Sequence, residues 1–295
     1  MKSPIPQMVL ILSLLLAGCA PHPSATPAAG AAPAAAGYIQ NKGSDTLVNV
    51  ALAWAERYQQ QHPETRISVT GGGSGTGIAA LINKTVDIAN ASRKINDTEV
   101  AQAKKNGVIP VEFVVARDAI GVIVNHKNPV NQLTLQQVAD IYTGRVNNWQ
   151  ELGGENRPIV RLSRETNSGT HVYFLESVIR LGSKTNKDIF SADTLLLPSS
   201  EGIISEVRDN PNAIGYDGLG YITQEVKVIG ISPAAGKPGV LPSVETVNAG
   251  KYPVSRDLYM YTPGQPTGAV KAYLDWVVTP EAQEIVRQLG FVPIK

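Results

Sequence analysis

Three short runs rich in Ser, Thr and Gly stand along this chain: Gly43-Ser44-Asp45-Thr46, Gly71-Gly72-Gly73-Ser74-Gly75-Thr76-Gly77 and Ser163-Arg164-Glu165-Thr166-Asn167-Ser168-Gly169-Thr170. Each closes a β-like segment and opens an amphipathic helical pattern. Such a junction is suited to an anion: the first turn of a helix leaves N–H groups without partners and carries the positive end of the dipole. Ser and Thr hydroxyls can donate to an oxyanion and rotate to fit it, while Arg164 offers a planar fork of donors. One run of this kind is an ordinary tight turn. Three in one chain suggest convergence on a single ligand.

Other chemistries find less support. A serine hydrolase needs a nucleophile with a histidine base, and Gly72-Gly73-Ser74-Gly75-Thr76 departs from the Gly-x-Ser-x-Gly elbow at its last position. Of the four histidines, His22 precedes the folded part, and His62, His126 and His171 stand in no motif with Ser74. Gly75-Thr76-Gly77-Ile78-Ala79-Ala80 fits only a loose dinucleotide pattern, and no Gly-Lys-Ser/Thr completes a nucleotide phosphate loop. His, Asp and Glu do not cluster at metal-ligand spacing and there is a single cysteine, so neither a metal nor a cofactor is expected.

The elements that must position these runs can be read from periodicity. Leu47, Val50, Ala51, Trp54, Ala55 and Tyr58 form one face of a helix, Arg66 to Thr70 alternates as a strand, and Ile78 to Lys84 reads as a second helix. Strands are predicted over Val86–Ala89, Val111–Val115, Ile120–Val124, Pro158–Leu162, Ala213–Tyr216 and Asp257–Tyr261. Helices are predicted near Asp97–Asn106, Thr134–Tyr142 and Glu281–Leu289, with another carried by Val172, Leu175, Val178 and Ile179. This alternation predicts an α/β fold with parallel sheets, whose ligands bind beyond the carboxyl ends of the strands.

Composition is globular, with 295 residues, 43% hydrophobic and 17% charged. A formal charge of +1 and no long basic run argue against a nucleic-acid partner. Lys2, the apolar stretch from Met8 to Leu16 and Leu16-Ala17-Gly18-Cys19 read as a lipoprotein signal peptide over 1–18, which makes Cys19 the lipidated mature N-terminus. Residues 19–37 are almost entirely Ala, Pro, Gly, Ser and Thr and read as a tether. The folded part is then expected outside the cytoplasm, in the periplasm or at the cell surface, held to the membrane by lipid alone.

Five motifs in fixed order resemble the phosphate-binding proteins of bacterial phosphate ABC importers. They are Gly43-Ser44-Asp45-Thr46, Gly72 to Gly77, Val86-Asp87-Ile88-Ala89-Asn90-Ala91-Ser92-Arg93, Ile141-Tyr142-Thr143-Gly144-Arg145-Val146-Asn147-Asn148-Trp149, and Arg164 to Thr170, with Pro280 to Pro293 closing the match. The resemblance implies a type II periplasmic-binding-protein fold, two α/β lobes joined by two strands with the ligand in the cleft. It places lobe 1 at 38–116 plus 253–295 and lobe 2 at 117–252. It implies a phosphate site of Ser44, Asp45, Thr46, Ser74, Gly75, Ser92, Arg93, Arg164, Ser168, Gly169 and Thr170. It further implies a monomer that performs no catalysis and delivers inorganic phosphate to ABC permease subunits.

One position departs from the pattern. Many members carry aspartate where this chain has Ser92, and that carboxylate accepts the proton of phosphate and repels fully ionised sulfate. Among the first-lobe residues expected to bind, the remaining acid is Asp45, expected to take the acceptor role, to pair with Arg93 or Arg164, or to serve as a plain helix N-cap. The alternatives are a binding protein for sulfate, molybdate or a phosphonate, and an exported hydrolase using Ser74 or Ser168.

Overall fold

The computed structural model describes residues 37–294. The leader, Cys19 and all of the tether except Gly37 lie outside the described residues. The folded part opens with β1 (Gly37–Gly43), α1 (Asp45–Gln61), β2 (Thr65–Thr70), α2 (Ser74–Ile82), β3 (Ile88–Ala91) and α3 (Asp97–Lys105). The strands pair in parallel in the order β2-β1-β3. Every residue of the predicted stripe on α1 is buried. Its Trp54 also satisfies its indole N–H on the carbonyl of Ala282, at 2.8 Å.

Next comes β4 (Val111–Val124), a single strand of 14 residues where two were predicted. Arg117 and Asp118 interrupt the apolar run, so the sequence reads as two strands with a break. The backbone continues as one strand with a register shift at Val115, and Asp118 is buried with its side chain paired. After β4 come β5 (Gln132–Thr134), α4 (Leu135–Tyr142), β6 (Val160–Arg164) and α5 (Gly169–Phe174), which passes into a π turn at Leu175–Ile179. The chain continues through β7 (Leu195–Leu197), α6 (Ser200–Asp209), β8 (Ala213–Gly218), β9 (Lys227–Ser232), α7 (Val244–Asn248), β10 (Ser255–Thr262), α8 (Gly268–Val277) and α9 (Pro280–Gln288).

The expectation of wholly parallel sheets is corrected. β10 returns late in the chain and runs antiparallel to both β3 and β4, and β4 is antiparallel to β8 and β9. β4 belongs to both halves of the fold. Its Val111–Ala119 stretch pairs with β10, and its Ile120–Val124 stretch pairs with β8 and β9. One apolar core, around Ile39, Leu47, Trp54, Leu258 and Val286, lies on the first half; another, around Val122, Tyr142, Phe174, Tyr216 and Ile229, lies on the second. At about 1.5–3 kcal/mol for each fully buried large apolar side chain, either core is a substantial driving force.

Helix N-termini differ in how they are finished. Asn96, Thr134, Ser199, Ser243 and Thr279 each accept a backbone N–H in the first turn of α3, α4, α6, α7 and α9. Ser44 and Gly73, at the caps of α1 and α2, do not cap with a side chain. Such caps contribute about 1 kcal/mol each, and α1 and α2 do without them beside the first two Ser/Thr/Gly runs, as α8 does at Thr267.

Candidate functional site

The three runs converge. Ser44, Thr46, Ser74, Ser92, Arg164, Ser168 and Thr170 are all buried, within 4% of full burial. From the first half, Ser92 N–H donates to Ser74 Oγ at 3.0 Å and the two hydroxyls lie 3.3 Å apart. Gly169 of the second half packs directly on this pair. A Cβ there would stand 2.3 Å from Ser74 Oγ and 2.5 Å from Ser92 Oγ, so no larger residue fits without opening the halves. Thr46 Oγ1 and Thr170 Oγ1 meet across the same divide at 3.0 Å. Ser44 Oγ is buried with no hydrogen-bond partner among the described residues.

Glycine-rich backbone makes the approach possible. Gly73 sits at φ +90°, a conformation side chains resist, and from it the chain turns into α2. Beyond it, Gly75 N–H donates across the cleft to the carbonyl of Asn167 at 2.9 Å. Asn167 Nδ2 in turn donates to the carbonyl of Gly72, also at 2.9 Å. The second and third runs therefore interlock through one backbone bond and the Asn167 side-chain amide. Ser168, in contrast, caps α5 by accepting the Thr170 N–H at 3.2 Å.

Arg164 and Asp45 form an ion pair across the cleft, with Nη2 to Oδ2 at 2.7 Å. Asp45 Oδ1 accepts the Gly72 N–H at 2.9 Å, so its carboxylate is engaged on both oxygens. Of the expectations for Asp45, pairing with Arg164 is the arrangement found. The other donors of Arg164 reach Ser200 Oγ at 2.7 Å and the Pro198 carbonyl at 2.9 Å, while its buried Nε has no partner among the described residues. Asp217 lies 3.9 Å from Arg164 Nη1, wholly buried, and burial pushes its carboxyl up to about 6. Its Oδ1 accepts from Ser200 Oγ and the Gly218 N–H; Oδ2 has no hydrogen-bond partner among the described residues.

Arg93 does not join the cluster. Its guanidinium is held by both oxygens of Glu99, at 2.8 and 2.7 Å, where the capping box of α3 has fixed that carboxylate. The pairing is local, six residues apart, and motif reading gave no sign of it.

Two charged residues that sequence reasoning missed stand at the centre. In the β4–β10 ladder Arg256 is directly opposite Asp118, and the two side chains pair at 2.7 Å with both residues buried. Burial raises the Asp118 carboxyl above its ordinary range, and the Arg256 guanidinium offsets only part of this. The available signal was Asp118, the one acid in the stretch Phe113–Val124, which is otherwise apolar apart from its neighbour Arg117.

Nucleophile chemistry finds no footing at Ser74 or Ser168. Among the described residues the serine hydroxyl bonded to a histidine is Ser163, 3.0 Å from His171 Nδ1 and 2.6 Å from Tyr216 OH. Ser163 is fully buried and His171 is stacked on Phe190, a packing network behind the third run. No group of His, Cys, Asp and Glu among the described residues could hold a metal.

The profile of the PBP superfamily domain matches residues 28–281. The chain is 32% identical over 275 residues to the phosphate-binding protein PstS of Pseudomonas aeruginosa, covering 88% of this chain and 83% of that one. Against the PstS of Bacillus subtilis identity is 30% over 261 residues, with 88% and 82% covered. A solved structure from Clostridium perfringens, assigned as a phosphate ABC transporter substrate-binding protein and holding bound phosphate, superposes with a TM-score of 0.78 at 32% identity. It is matched over 88% of this chain and 100% of that one.

Proposed function

The chain belongs to the PBP superfamily and, within it, to the phosphate-binding proteins of phosphate ABC transporters, and from that membership we propose that it captures inorganic phosphate outside the cytoplasm and hands it to a membrane permease. The observation that carries this reading is the meeting of Ser/Thr hydroxyls from both halves around buried arginine, with the N-termini of α1 and α2 left without side-chain caps. Phosphate offers four oxygens to donors that converge from several sides. Binding is the whole of the activity: no bond is made or broken, and relatives of this family are substrate-binding proteins of transporters.

The two halves act as lobes, 38–116 plus 253–295 and 117–252, and the anion holds them closed because it contacts both only in that state. The site comprises Ser44, Thr46, Ser74, Ser92, Arg164, Ser168, Gly169 and Thr170, with Asp45 and Gly75 holding the loops together and Arg93 outside it. Cys19 carries the lipid, the Ala/Pro-rich segment after it is the tether, and the protein works as a monomer. Among the described residues no helix is long and apolar enough to cross a membrane.

Titration calorimetry of the folded part, freed of phosphate by partial unfolding and dialysis, tests this. Saturable binding of one phosphate per chain, undiminished by excess sulfate, is expected. Tighter binding of sulfate or molybdate would reassign the protein to another oxyanion. Ester hydrolysis abolished by Ser74→Ala would overturn the reading altogether.

A further inference from the structure

Phosphate-site residues carried over from the family include one arginine inside the cluster, Arg164, yet the cluster contains a second. Arg256 stands where the chain passes from one half to the other, and its guanidinium touches both. Nη2 donates to Thr170 Oγ1 at 3.0 Å and lies 3.4 Å from Thr46 Oγ1, while Nη1 donates to the carbonyl of Ser92 at 2.9 Å. Asp118, opposite it in the strand register, takes Nε and Nη2 on one oxygen, at 3.2 and 2.7 Å. The other oxygen of Asp118 accepts the Leu219 N–H at 3.1 Å.

Three features set this arginine apart. Its acceptors other than Asp118 are neutral, two hydroxyls and a carbonyl, and hydroxyls can turn away when a stronger acceptor arrives. It faces one carboxylate, whereas Arg164 has Asp45 at 2.7 Å and Asp217 at 3.9 Å. It also lines a cleft of about 730 Å³ that opens between the halves, with Arg93, Lys94 and Arg117 beside it and Asp97, Glu176 and Asp257 on the same walls. Thr46, Thr170, Ser92 and Arg164 do not line that cleft. Arg256 therefore connects the solvent-facing opening to the buried hydroxyls, and the Tyr173 ring 5.6 Å from its Cζ holds it flat.

We propose that Arg256 is a direct contact of the bound oxyanion, supplied by the strand that joins the lobes, and that Asp118 positions it. This rests on the oxyanion-binding reading above. A forked cation anchored on the joining strand and bonded to a threonine of each lobe reports closure at the place where closure bends the chain. Asp118 keeps the guanidinium from swinging into the cleft and, as a fixed negative charge behind it, lowers the attraction for a doubly charged anion.

The test compares the native protein with the double variant Arg256→Gln/Asp118→Asn, which replaces the ion pair by neutral groups of similar volume and leaves no buried charge unpaired. Phosphate should bind roughly ten- to a hundredfold more weakly, the range for losing a hydrogen bond to a charged group. Binding within about twofold of native by a folded double variant overturns the proposal. If that variant does not fold, Arg256→Lys carries the test, since it keeps the charge and loses the fork: weakening by roughly tenfold supports the contact and native affinity overturns it. Asp118→Asn should raise sulfate affinity relative to phosphate; equal loss of both would overturn its positioning role. If the native protein binds another oxyanion instead, the proposed function falls, and the same native-to-variant ratio measured with that anion decides Arg256.

Discussion

Two sides of the same buried cluster hold an arginine, and they are built on different plans. At the Arg164 corner a cation from the second half faces Asp45 of the first and Asp217 of its own, with Ser200 and the Pro198 carbonyl taking further donors. At the Arg256 corner the cation faces Asp118 alone and spends its other donors on neutral oxygens from both halves. The first corner is compensated as a structural ion cluster would be. The second holds positive charge in reserve. Anion affinity need not come from the arginine that motif reading singles out, because what counts is how much of its charge the protein has already answered.

The largest separation between the corners should appear in stability. Arg164→Gln leaves Asp45 and Asp217 facing each other's field with no cation, and breaking a buried pair from one side costs about 3–5 kcal/mol. Chemical denaturation without ligand should show a loss of this size. A loss below about 1 kcal/mol would mean that Arg164 is held as loosely as a surface ion pair, and the contrast would collapse.

A medium effect concerns protons. Asp217 is pushed up to about 6 by burial, with Arg164 pulling it down, so between about pH 4 and 6 the folded state holds a proton that the unfolded chain has released. By linkage its contribution to stability is full below about pH 4, falls as pH rises through this window and is flat above it. Asp217→Asn has no such titration. Its stability relative to native should therefore rise from pH 4 to 7, by up to about 3 kcal/mol at roughly 1.4 per pKa unit, measured from melting curves at both pH values. A flat difference would show that Arg164 keeps Asp217 ionised throughout and that the first corner is a fully charged cluster.

Much of this fold was legible because helices advertise their buried face. The α1 stripe, the three turns and the closing helix all follow from spacing, and the hydroxyl residues that meet across the divide were named from the resemblance of their motifs to a known family. β4 was split because polar residues usually end strands, whereas Asp118 is tolerated mid-strand only by virtue of a partner 138 residues away. β5 and β7, of three residues each, carry too few positions for alternation to register. Arg256 went unseen for the same reason as the strand break. Sequence neighbours report local geometry, and this pair is made by register between strands that the chain brings together last.

The smallest effect is the one that sequence reasoning left most open. Ser92 stands where many relatives place an aspartate, so Asp45 was the candidate for accepting the proton of phosphate. Its Oδ2 is taken by Arg164 and its Oδ1 by the Gly72 N–H, and it is partly exposed. With both oxygens engaged, this carboxylate acts mainly as a latch between the first and third runs. Asp45→Asn should keep the Gly72 bond through the amide oxygen and lose only the charge of a part-exposed pair, about 1 kcal/mol or less. Phosphate affinity should fall by less than about fivefold, with the ratio of phosphate to sulfate unchanged. If that ratio instead drops tenfold or more in competitive dialysis, proton recognition belongs to the Arg164 corner, and the division of labour between the two arginines is reversed.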